Sequence, residues 1–138
     1  MNKQGMSLIE TLVVIAVLGV LLSLGTVNYT RAIRAAEFRE AVAQVYTQLQ
    51  TARSASMRTS THQAVTWTAG SVAVNGQARA LLHGATITTP PGTATFTAPF
   101  AELDTPTGEG VVLAFVSQDG RTRRDIVLLG VTGKVTLR

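Results

Sequence analysis

The apolar positions along this chain follow three different rules in turn. From Thr11 to Thr30 about 20 residues are uncharged and mostly apolar, enough for one crossing of a ~30 Å hydrocarbon layer. From Phe38 the apolar positions fall at Phe38, Val42, Val45, Leu49 and Ala52, and the next step lands on the small Ser56. Steps that alternate between four and three keep these residues on one helical face. Arg39, Glu40, Gln44, Gln48 and Arg53 fall mostly elsewhere, and no proline precedes Pro90. The pattern predicts one continuous helix from Ser7 to Met57, roughly 75 Å long at 1.5 Å per residue. Its first half is apolar all round and its second half is amphipathic.

After Thr59-Ser60-Thr61 the period becomes two. Gln63–Thr68 and Ser71–Val74 read as strands joined at Ala69-Gly70, and Asn75-Gly76 is a strong turn signal. Short strands are expected at Ala85–Thr89 and Thr93–Thr97, on either side of Pro90-Pro91-Gly92. Pro99–Gly110 reads as a loop. Val111–Val116 and Asp125–Leu129 form a hairpin with Asp119-Gly120 in its turn. Thr132-Gly133 leads to a last strand at Lys134–Arg138. The expected fold class is α+β: a long amino-terminal helix packed on an antiparallel β-sheet head. The amphipathic half of the helix covers a sheet face, because a single sheet must bury its apolar side.

Composition narrows the chemistry. The 138 residues include no cysteine, which excludes a disulfide framework and a thiolate zinc site. The net charge of +4 is carried mainly by arginine, since the only lysines are Lys3 and Lys134. An excess of this size favours an anionic partner without requiring one. His62 and His83 have no paired spacing of the kind a metal site needs. Glu102, Asp104 and Glu109 supply oxygen ligands of the type calcium takes, but without the EF-hand order, and read as a solvated acidic loop. Ser54, Ser56 and Ser60 lack a His and Asp pattern that would activate a nucleophile. No catalytic residue, metal or cofactor is expected. Trp67 is expected in the core or in the seam between helix and sheet.

The most specific signal is Gly5-Met6-Ser7-Leu8-Ile9-Glu10, a single carboxylate at the mouth of an apolar helix. An ionisable group there is costly and marks function. The leader Met1–Gly5 is too short for the charged region of a secretory signal. The segment resembles the type III signal of type IV prepilins and type II secretion pseudopilins. The resemblance implies cleavage by a prepilin peptidase between Gly5 and Met6 and N-methylation of Met6. It also implies a role for Glu10 in assembly with other pilins or pseudopilins. It divides the chain into a leader (1–5), a transmembrane and assembly half-helix (6–30), an amphipathic half-helix (31–60) and a β-rich head (61–138). Glu10 of one subunit is expected to pair with the Met6 amine of a neighbour, since each charge alone in apolar surroundings costs several kcal/mol. The resemblance also places the chain in the inner membrane as a single-pass protein, with its head outside the cytoplasm, before it enters a fibre. Charge counting alone does not give that orientation, because Arg31, Arg34 and Arg39 follow the span.

Ala52-Arg53-Ser54, Met57-Arg58, Ala64-Val65-Thr66, Trp67 and Gly70 are similar to the general secretion protein H / FimT-like group. Phe115…Asp119-Gly120 and Gly133-Lys134-Val135 are similar to it too. That group implies a minor subunit of a type II secretion pseudopilus or a type IV pilus. The alternative it carries is non-specific DNA binding for uptake. Gly120-Arg121-Thr122-Arg123-Arg124 matches a Gly-Arg-x-Arg string, although the family places that motif in the carboxy-terminal tail. Here the tail has Lys134 and Arg138. Arg121, Arg123, Arg124, Lys134 and Arg138 are therefore the candidate DNA contacts, through salt-sensitive bonds to phosphate. The competing reading is a solvated turn with Asp119 and Asp125 as local partners.

Overall fold

The structure is a computed structural model that describes residues 7–130 and 132–138, with the backbone alone for residues 24–28. The chain divides into two compact units, Met1–Ala35 and Ala36–Arg138. Helix α1 runs without a break over Leu8–Thr59, within two residues of the span the pattern predicts. It opens on Ser7, whose carbonyl accepts the Glu10 and Thr11 amides at 3.0 and 3.2 Å. It closes where Ser60 turns to a φ of 49°, a left-handed position that ends many helices.

In the first unit, the large apolar side chains from Leu8 to Leu22 are exposed. Among the described residues no helix is long and apolar enough to cross a membrane. The span expected over Thr11–Thr30 includes residues 24–28, whose side chains lie outside the described residues.

In the second unit the predicted stripe is the buried face of α1. Phe38, Val42, Val45, Leu49, Ala52 and Ser56 are all buried, and Ala41 joins them. The head is the antiparallel β arrangement expected, divided between two sheets. It holds two antiparallel sheets, one of five strands in the order β3-β2-β1-β5-β6 and one of four in the order β4-β7-β8-β9. The strands are β1 (Gln63–Trp67), β2 (Ser71–Val74), β3 (Gln77–Ala80), β4 (Thr86–Ile87), β5 (Gly92–Thr97), β6 (Glu102–Asp104), β7 (Val111–Val116), β8 (Arg123–Leu128) and β9 (Val135–Leu137). Residues alternate in and out of the core along β1, as a half-buried strand requires. One core joins the α1 stripe to Val65, Trp67, Val72 and Phe96 of the first sheet and to Leu113, Phe115, Ile126 and Leu128 of the second.

Two strands are additions to the sequence reading. β6 lies inside the segment expected to be a loop. β3 follows the Asn75-Gly76 turn, whose φ values of 50° and 79° are those of a type I′ hairpin. The segment Pro90-Pro91 is a crossover, since β4 pairs with β7 whereas β5 pairs with β1.

Candidate functional site

Glu10 sits in the first turn of α1 and is exposed. A carboxylate there is favoured by the positive end of the helix dipole. Among the described residues it has no ion-pair partner. Gly5 and Met6, the expected cleavage pair, lie outside the described residues.

The register divides the five candidate DNA-binding cations. Arg124 stands opposite Phe115, and residues directly opposite share a face, so Arg124 lies on the core-facing side and is half-buried. Arg123 lies on the other side, where its Nε donates to Asp125 Oδ1 at 3.1 Å. Asp125 and Arg138 exchange both backbone hydrogen bonds, at 3.0 and 2.8 Å. Leu129 N–H donates to the Lys134 carbonyl. Arg123, Lys134 and Arg138 therefore share the outer face of the second sheet with Asp125 among them. Arg121 belongs to the turn before β8, where its backbone N–H donates to Asp119 Oδ1 at 3.1 Å. The Ser117 hydroxyl donates to the same oxygen at 2.6 Å. These bonds, the Ser117 one foremost, hold the Asp119 carboxyl below its ordinary value.

The other polar candidates have structural duties. His62 Nδ1 accepts the Ala98 N–H at 3.3 Å. His83 Nδ1 stands 3.9 Å from Glu37 Oε1 on α1. The Ser56 hydroxyl, fully buried, donates to the Phe96 carbonyl at 3.2 Å. Among the described residues no three His, Asp or Glu side chains gather in a way that would hold a metal ion. Glu102 and Asp104 are strand residues of β6, which differs from the acidic loop expected there.

A groove of about 600 Å³ escaped the sequence reading. It runs between α1 and the β2–β3 hairpin, with Glu40, Gln44, Gln48 and Thr51 on the helix side and Gln77 and Arg79 on the strand side. Its one local signal is the Asn75-Gly76 turn, which folds Gln77–Ala80 back beside β2.

Residues 1–26 match the family described as the prokaryotic N-terminal methylation motif. The match supports a type IV pilin-like protein. The motif implies processing by a prepilin peptidase and assembly with other pilins, and it points to a structural subunit rather than an enzyme. It also points to an anchored pilin of the inner membrane. No curated protein and no solved structure matches the chain. The long helix packed on antiparallel sheets is a pilin-like arrangement, and the motif sits at the amino end of that helix.

Proposed function

We propose that the chain is a minor pilin or pseudopilin of the general secretion protein H / FimT-like group, a subunit of a type II secretion pseudopilus or a type IV pilus. The observation that carries the pilin or pseudopilin reading is the methylation motif placed directly at the start of a 52-residue helix, and the H / FimT-like branch is supported by the resemblance of Ala52-Arg53-Ser54, Trp67 and Gly70. Cleavage falls between Gly5 and Met6, and the new amine at Met6 is methylated. The exposed apolar residues from Leu8 to Leu22 anchor the subunit in the inner membrane until it is drawn into the fibre. Glu10 then meets the Met6 amine of a neighbour. A charge pair in an apolar layer fixes one axial register, since leaving either charge alone costs several kcal/mol.

The test is intact mass and amino-terminal sequencing of the membrane-purified protein from cells with an active prepilin peptidase. A chain that begins at methylated Met6 supports the reading, and one that still begins at Met1 overturns it. Glu10→Ala should leave cleavage intact and abolish incorporation into fibres sheared from the cell surface or overproduced as a pseudopilus. Normal incorporation of that variant would remove Glu10 from the mechanism.

A further inference from the structure

The two sheets have four edge strands, and three of them make a hydrogen bond on their outward side. On β6 the outward Leu103 N–H donates to the Gly130 carbonyl at 2.9 Å. On β4 the outward Ile87 N–H donates to the Ala69 carbonyl at 2.8 Å. On β9 the outward Val135 carbonyl accepts Gln50 Nε2 from α1 at 3.3 Å. β3 is different. Its register with β2 pairs Gln77 with Val74 next to a two-residue turn and Arg79 with Val72. Leu81 N–H, one step further, donates to the Gly70 carbonyl at 2.9 Å. Gln77 and Arg79 thus face β2 with their backbone groups, and those of Ala78 and Ala80 face outward. Among the described residues nothing closes that edge, and all four residues of β3 are exposed.

An open edge offers alternating N–H and C=O groups, a template for another strand. The groove beside β3 adds side-chain recognition. The amides of Gln44, Gln48 and Gln77 in its walls have no hydrogen-bond partner among the described residues. Its two charged residues, Glu40 and Arg79, balance each other. The rest of the lining is small and largely apolar, with Ala43, Ala52, Ala55 and Val74 beside Thr47 and Thr51, so the walls match small uncharged side chains. We propose that the β3 edge binds an extended segment of a partner polypeptide as an added strand of the first sheet. Main-chain bonds to Ala78 and Ala80 hold it, and small uncharged side chains, such as alanine, serine, threonine or valine, at alternate positions face α1. This is strand addition, in which main-chain bonds give affinity and alternate side chains give specificity.

The test uses the full chain in detergent and short random peptides displayed on phage, so it stands whether or not the chain is a pilin. Expected are binders with small uncharged residues at alternate positions that slow hydrogen exchange of the Ala78 and Ala80 amides. Ala78→Pro should weaken them about tenfold or more, through loss of an outward donor. Proline is tolerated on an edge strand where its missing N–H faces away from the sheet. Persistent protection of the Gln77 and Arg79 amides would show that the variant is folded. The exchange readout on the unaltered chain needs no variant. Absence of binders, or binders that leave Ala78 and Ala80 exchange unchanged, would overturn the proposal. So would self-association that Ala78→Pro abolishes and peptides do not compete with, which would assign the edge to a second copy.

Discussion

Trp67 and Gly92 are register partners across β1 and β5. The indole Nε1 donates to the Pro90 carbonyl at 2.8 Å, and a Cβ on Gly92 would lie 2.6 Å from Trp67 Cζ2. Gly92→Ala must therefore displace the indole. A destabilisation of about 1–3 kcal/mol is expected, the usual cost of overpacking. Urea unfolding followed by the emission of Trp67, the chain's single tryptophan, measures it directly. The burial of Trp67 was legible in its strand pattern. Its dependence on Gly92 was not, because residues distant in sequence meet only once the register is set. Asp119 gives a second prediction. Its folded carboxyl is held below the ordinary 3.8 by the Ser117 hydroxyl and the Arg121 amide. The stabilisation of the turn is complete above that ordinary value and is lost as the pH falls through the lower, folded one. The Arg121 amide should exchange faster, relative to its intrinsic rate, below that pH, and Asp119→Ala should remove the transition.

At the scale of elements, α1 was the most readable part of the chain. Its four-three steps named the buried stripe residue by residue, because helical periodicity is local. Leu49, fully buried in that stripe, should cost about 2–5 kcal/mol when changed to Ala. Arg39→Ala, at an exposed position earlier in the same helix, should stay within about 0.5 kcal/mol. Equilibrium denaturation of both variants makes the comparison. β3 and β6 were not readable for opposite reasons. Gln77-Ala78-Arg79-Ala80 has none of the β-branched or aromatic residues that strands favour, and it is a strand because the type I′ turn brings its backbone into register with β2. β6 lies in a stretch with irregular composition, and it is a strand because Leu103 is buried and its N–H meets Gly130. β6 depends on a tertiary partner that no local window contains, whereas the partner of β3 is the strand just before it. The basic residues were legible as charges but not as a surface. Strand alternation puts Arg123 and Arg124 on opposite faces, and a run of letters does not display that.

Across the whole head, the chain passes between its sheets three times: β1–β3 in the first, β4 in the second, β5–β6 back in the first, and β7–β9 in the second. One core spans both sheets and α1. The second unit should therefore open as one cooperative body. Native-state exchange should give the slowest amides of β1 and β8 the same opening free energy, within error. Distinct values would mean that the sheets separate. The interleaving also has a temporal consequence. A polypeptide emerges amino end first, so Val65, Trp67 and Phe96 are out before the strands that cover them exist. Until the final hairpin clears the ribosome or translocon, a nascent or prematurely terminated head displays greasy strand faces. It is then the kind of client that holding chaperones retain and quality-control proteases destroy.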